Sequence, residues 1–144
     1  MKEVIFVTEK SCGTVLYTVR DGVVLYLLIQ SADGGICGFP KGHVEAGETE
    51  EETALRETWE ETSVRAELVG GFRKEIAYRL KNGNSKTVVF FLGTFRDQEP
   101  RHNEGFETLN YLVLPYGDAC RKLTFRNTRR VLKSAERFLR ATEK

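Results

Sequence analysis

In the stretch GFPKGHVEAGETEEETALRETWEETSV, running from Gly38 to Val64, a loop punctuated by glycines gives way to a segment crowded with glutamates. The change marks the start of a helix. Thr49 can accept an N–H from the first turn and Glu52, three residues on, can return the bond, which is a capping box. Ala54, Leu55, Thr58, Trp59 and Thr62 then make a modest inward stripe. At about 100° per residue, Glu61 lies about 40° to one side of Glu57 and Glu60 about 60° to the other, so three carboxylates share one sector beside that stripe.

Working outward, the helix is framed by β-rich runs. CGTVLYTVRDGVVLYLLIQ is two strands joined at Arg20, Asp21 and Gly22, because Asp-Gly accepts the positive φ of a tight hairpin. SADGGIC, with its turn formers, is a loop. After the helix, Val64, Ala66 and Leu68 alternate with polar neighbours and announce a strand. GFRKEIAYRL and KTVVFFLGTF flank KNGNS, where Asn82-Gly83 again permits a tight turn. EPRHNEG is a polar loop and ETLNYLVL a further strand, stopped by Pro115. In the tail NTRRVLKSAERFLRATEK, the residues Val131, Leu132, Ala135, Phe138 and Leu139 fall on one helical face, expected to pack on a sheet or on the glutamate-bearing helix. The class is α+β, with no repeat, low-complexity tract or long linker, and residues 1–144 are read as one domain.

Charge supports no simple electrostatic function. Twenty-two basic and 21 acidic side chains leave a formal charge of +1, so the chain as a whole makes no case for nucleic-acid binding. The distribution is uneven: Glu45 to Glu61 is acidic, and Arg121 to Arg140 is basic, either a solvated helix face or a steering surface for an anionic substrate. Cys12, Cys37 and Cys120 are widely spaced and form no CxxC pair, which reads as reduced thiols in a cytoplasmic protein, with Cys12 in the core. MKEVIFVTEK is too broken by Glu3 and Glu9 for a signal peptide, and no apolar run approaches the roughly 20 residues of a membrane span.

Crowded carboxylates alone prove little, since an exposed acidic face can carry the repulsion. Their combination with the loop is more informative. Rigidly placed carboxylate oxygens suit Mg²⁺ or Mn²⁺, hard cations that polarise phosphoryl oxygens. Gly42 and Gly47 let the loop bring a backbone carbonyl to the same ion, and Lys41 adds a point charge for phosphate or for the acidic neighbours. His43 is a loop hydrogen-bonding group rather than a ligand of an oxygen-preferring metal. Arg56 is placed to order the site through a two-pronged bond to Glu48. Trp59 is a packing residue.

These positions resemble the signature of the Nudix hydrolases: a glycine, a glutamate after five intervening residues, Arg-Glu after seven more, then a pair of glutamates, a glycine and an apolar residue. Here they are Gly42, Glu48, Arg56, Glu57, Glu60, Glu61 and Val64, with two departures, Thr58 for an aliphatic residue and Ser63 for the glycine. Serine accepts the left-handed helix exit less readily than glycine. The resemblance implies a Nudix α/β/α sandwich around a mixed central β-sheet, with a metal held by Glu57, Glu60 and Glu61 and helped by the backbone of Lys41 or Gly42.

FPKGHVEAGE, ETALRETWEE, GFRKEIAY, KTVVFFLG and the E...Y.VL pattern from Glu107 are similar to one branch, the asymmetric diadenosine tetraphosphate hydrolases. That likeness implies Mg²⁺-dependent hydrolysis (Mn²⁺ as the other candidate ion) of a small dinucleoside polyphosphate to ATP and AMP. The implied catalytic set is Arg56, Glu57, Glu60, Glu61 and Glu107. The implied substrate set is Phe39 at the pocket mouth, Lys41, His43, Tyr78 at the adenine and Lys86 at the bridging phosphate. Glu107 is the preferred late carboxylate, as a further metal ligand or a base, with Glu104 as its competitor. Other readings stay open: a Nudix pyrophosphohydrolase acting on nucleoside triphosphates, capped RNA 5′ ends or inositol pyrophosphates, or a silent nucleotide sensor.

Overall fold

The computed structural model describes residues 3–142, so the ends of the first and last segments discussed above lie outside the described residues. The chain order is β1 (Thr8–Arg20), β2 (Val23–Ser31), β3 (Cys37–Gly38), β4 (Lys41–His43), α1 (Glu50–Thr62), β5 (Glu67–Arg79), β6 (Ser85–Thr94), β7 (Leu109–Pro115), α2 (Tyr116–Lys122) and α3 (Arg126–Thr142). All seven strands join one mixed sheet.

The β1–β2 hairpin turns at Asp21 and Gly22, with φ 51° and 76°, the pair of positive values that a two-residue turn between twisted strands requires. The second hairpin departs from its expected tight turn. Only Gly83 of the Asn-Gly pair has positive φ, and Leu80 N–H bonds to the Asn84 carbonyl at 2.7 Å, so the connection is a three-residue loop closed by a glycine bulge. Pro115 ends β7 as expected and immediately opens α2, a short helix that the sequence pattern did not reveal.

One topological feature makes the site. β1 pairs with β2 only from Leu16 to Arg20, while along its other edge it runs parallel to β6 from Thr8 to Tyr17. Beyond Leu16 the two strands of the hairpin part. The freed edge of β1 takes β4, pairing Ser11–Gly13 with His43–Lys41, and the freed edge of β2 takes β3, pairing Ile29 and Gln30 with Gly38 and Cys37. The segment read as loop is therefore two short strands wedged into a split in the sheet. Gly13 lets β1 meet this wedge, since a Cβ there would strike the Pro40 carbonyl and Lys41.

The alternation of β6 shows the layers. Val88, Phe90 and Leu92 pack with Val131, Leu132, Ala135 and Leu139 of α3, while Val89 and Phe91 pack with Ala54 of α1. α3 therefore packs on the sheet, on the face opposite α1, giving three layers. Phe138 covers Phe72 edge-on at 5.7 Å. Cys12 is fully buried as expected, and all three cysteines are free thiols. No helix among the described residues is long and apolar enough to cross a membrane.

Both departures from the resembled signature have structural explanations. Thr58 is fully buried, and its Oγ1 lies 2.6 Å from Oγ1 of Thr14 on β1, so a hydroxyl pair replaces an aliphatic contact between helix and sheet. Ser63 adopts the left-handed conformation regardless, φ 60° and ψ 15°, and its N–H caps the helix on the Trp59 carbonyl. The helix exit geometry is thus retained without its usual glycine, at a backbone cost of about 1 kcal/mol.

Candidate active site

The capping box fixes where α1 begins: Thr49 Oγ1 accepts from Glu52 N–H at 3.1 Å, and Glu52 Oε1 accepts from Thr49 N–H at 2.9 Å. That start sets the angular position of every later carboxylate. Arg56 is the hub. Its Nε and one terminal nitrogen grip Glu48 at 2.7 and 3.0 Å, as the sequence suggested, and the other terminal nitrogen reaches Glu57 at 2.9 Å and Glu60 at 3.0 Å. A further bond runs to the His43 carbonyl at 2.9 Å, so one guanidinium ties the wedge, the loop and the helix together. Glu48 is held down at about pH 2 by this grip, with the Glu45 N–H adding to it.

Glu57 and Glu61 approach the wedge backbone. A Cβ on Gly42 would land inside the Glu57 carboxylate, so only glycine permits the helix to sit so close. Glu61 Oε1 accepts the Lys41 N–H at 2.8 Å. Burial pushes the Glu61 carboxyl up to about 7, opposed by that N–H and reinforced by the charges of Glu57 and Glu107. Glu57 is also raised, chiefly by burial. The two half-buried carboxylates repel each other, and the cations that offset them are the Arg56 guanidinium at Glu57 and the Lys41 ammonium near both.

The donor set fits a hard divalent cation. All candidate ligands are oxygens, they sit one helical turn apart, and a wedge backbone is in contact with two of them. Among the described residues no three acidic, histidine or cysteine side chains converge as a ready-made ligand set, and Glu57 and Glu60 are both bonded to Arg56.

Beside this cluster a cleft of about 630 Å³ opens between the wedge, β5 and the start of α3. It brings together Phe39, Lys41, Glu61, Tyr78 and Glu107, which lie far apart in sequence. Phe39 packs edge-on against Phe90 at 5.6 Å. The Lys41 ammonium is held below its usual value, first by burial and then by the neighbouring Lys86. Two adjacent ammonium groups form a natural seat for phosphate. Tyr78 is paired with Lys86 across β5 and β6, which puts aromatic ring and cation at one rim.

Two expected residues are placed differently. Lys86 stands beside Lys41 rather than in the cleft wall, and the His43 imidazole is exposed, facing Glu9 at 3.6 Å; His43 reaches the cluster only through its carbonyl. Of the competing late carboxylates, Glu107 lines the cleft and acts electrostatically on Glu61, whereas Glu104 does not line it. Trp59 lies under the Arg65 guanidinium at 4.7 Å, a packing role. Sequence reasoning missed Ile36, Phe125, Asn127 and Thr128 in the cleft wall. The exposed aromatic Phe125 just before a helix was the available signal.

The NUDIX domain family model matches residues 9–134. The pig asymmetrical bis(5′-nucleosyl)-tetraphosphatase is 33% identical over 140 residues, covering 90% of this chain and 95% of the relative. Its mouse counterpart is 32% identical over 144 residues, with 92% and 97% covered. The crystal structure of a Caenorhabditis elegans Ap4A hydrolase binary complex superimposes with a TM-score of 0.83 at 25% identity, covering 92% of this chain and 98% of that one. The NUDIX domain of Shewanella oneidensis NrtR, complexed with ADP ribose, shares the fold with a TM-score of 0.74 at 18% identity, over 94% of this chain and 90% of that one.

Proposed function

The chain belongs to the Nudix family, and on that premise we propose that it is a Mg²⁺-dependent hydrolase of diadenosine tetraphosphate, releasing ATP and AMP. The observation that carries the reading is the single cleft in which a carboxylate edge, Lys41 with Lys86 beside it, and aromatic rings meet. A molecule with a multiply charged bridge and a purine at its end matches that sequence of surfaces. The relatives' activity agrees with it.

In this proposal Glu57, Glu60 and Glu61 would hold Mg²⁺ or Mn²⁺, with the backbone of Lys41 or Gly42, and the ion would supply Lewis-acid polarisation of a phosphoryl oxygen. Arg56 positions Glu57 and Glu60. Lys41 and Lys86 bind the polyphosphate bridge and offset its charge as it shifts to the leaving nucleotide. Tyr78 and Phe39 offer ring surfaces to an adenine. The Glu107 carboxylate takes the proton of the attacking water, whose oxygen joins phosphorus as the anhydride bond breaks toward ATP or AMP. Three unpaired thiols and a nucleotide substrate support a cytoplasmic setting.

Purified protein incubated with Mg²⁺ and a panel of dinucleoside polyphosphates, nucleoside triphosphates and inositol pyrophosphates tests the proposal by product chromatography. ATP and AMP in equal amounts from the tetraphosphate, formed faster than products from any other compound, are expected. Equal or faster turnover of nucleoside triphosphates would overturn the substrate assignment, and no turnover at all would leave a nucleotide sensor.

A further inference from the structure

We propose that the outer face of α3 is a docking track for a single-stranded polynucleotide. At about 100° per residue, Arg126, Arg130, Lys133, Arg137 and Arg140 fall within about 80° of arc, spaced four, three, four and three residues apart. The row is about 21 Å long and lies opposite the buried stripe of Thr128, Val131, Leu132, Ala135 and Leu139. All five side chains are exposed.

A helix face turned to water is commonly charged, but with both signs interspersed. Here it is not. Glu136 is the one acidic residue within α3, and it is engaged with the Tyr26 hydroxyl at 2.7 Å and with Arg140. Among the described residues Arg126, Arg130, Lys133 and Arg137 have no carboxylate partner. The row destabilises its own helix twice over. Like charges recur at i+3 and i+4. The first turn holds Arg126 and Arg129 with no acidic residue, against the helix dipole. A chain of net charge +1 has thus gathered cations without carboxylate partners on one exposed helix face.

Two observations point to a nucleic-acid strand as the anion. The row has the regular spacing of a linear polyanion's partner rather than the compact shape of a single phosphate site. Its first residue also adjoins Phe125, an aromatic side chain 50% exposed at the rim of the cleft. An open ring at the head of a cationic row is a stacking platform for an unstacked base, a surface that single strands use and duplexes do not. The track thus starts at the cleft and runs outward along α3.

The test needs no turnover, so it stands apart from the hydrolase proposal. A fluorescein-labelled 20-nucleotide oligouridylate without a 5′ phosphate, and its DNA equivalent, are titrated with the full chain by anisotropy in chelator. Binding on the order of 10 µM at low salt is expected, with a log–log salt slope of about −3 for four to five neutralised phosphates. Replacing Arg126, Arg130, Lys133 and Arg137 together with glutamine should weaken binding at least about tenfold and bring the slope to about −0.7. The variant should melt no lower than the parent. Glutamine at Arg79, Lys81, Arg96 and Arg101, an equal charge loss elsewhere, should change affinity about twofold or less. Equal losses in both variants, or no binding at low salt, would overturn the proposal. So would tighter, row-dependent binding to phosphatidylserine vesicles, which would make the face a membrane contact. Photocrosslinking a 4-thiouridine strand to the unaltered chain should label peptides spanning residues 125–140, and labelling confined elsewhere would overturn it independently.

Discussion

α1 and α3 lie on opposite faces of one sheet, and each carries a row of like charge, yet the rows are handled in opposite ways. On α1 and the loop that enters it every carboxylate of the cluster has a donor: Arg56 for Glu48, Glu57 and Glu60, the Lys41 N–H for Glu61, and Arg73 with Lys10 for Glu50. On α3 four cations of the row face water with no acidic partner among the described residues. Crowding is therefore not itself a sign of chemistry. The difference is confinement: α1 is pressed against a wedge of backbone, where unmatched charge is costly, whereas water screens α3.

The comparison is broken most severely at Glu61. Glu61→Gln keeps the Lys41 bond in reach but removes the charge, and it should lower kcat with saturating Mg²⁺ by about 100- to 1000-fold, about 3–4 kcal/mol, while changing the melting temperature little. Steady-state kinetics beside a thermal melt would measure both. Arg56→Gln attacks the compensation itself. Three carboxylates lose their shared guanidinium, and chemical denaturation in chelator should show a loss of about 2–3 kcal/mol. Added Mg²⁺ should recover part of that loss by ligand linkage.

Thr58→Val tests the helix–sheet join beneath the cluster. It leaves the Thr14 hydroxyl buried without its partner, so denaturant titration should show a loss of about 1–3 kcal/mol even though valine is closer to the family pattern. Acid titration sharpens the contrast between helices. Glu48 and Glu50 are both held at about 2 against a usual 4.5, by Arg56 and by Arg73 respectively. Their folded values are depressed, so their contribution is whole above pH 4.5 and fades as pH falls toward 2. Arg73→Gln should flatten this acid limb, and neutralising the α3 row should leave its shape unchanged. The smallest effect is a gain: Ser63→Gly relieves the left-handed φ and should raise stability by about 1 kcal/mol, seen as a few degrees in the melt.

Much of this was readable in residue order. The capping box and the Asp-Gly hairpin arise from neighbours within one turn or one hairpin, the inward face of α3 from its helical period, and the Arg56–Glu48 pair from a separation of eight residues, so spacing determines geometry. What failed was longer in range. The loop between Ile36 and His43 looked unstructured because its β3 and β4 partners are strands that separate elsewhere, and no local pattern announces that separation. The Asn-Gly pair mistook a bulged turn for a tight one, since a single glycine suits both.

By itself the sequence determined the capped helix, the sector of its carboxylates and the α+β class, because these depend on backbone periodicity and on interactions a few residues apart. The tertiary structure alone decided that Lys41 and Lys86 become neighbours, that Glu107 rather than Glu104 borders the cleft, and that the basic row of α3 starts at its rim. Those outcomes depend on how a split sheet brings distant segments together. Side-chain chemistry says which groups would repel or bind, but only the packed chain says which of them meet.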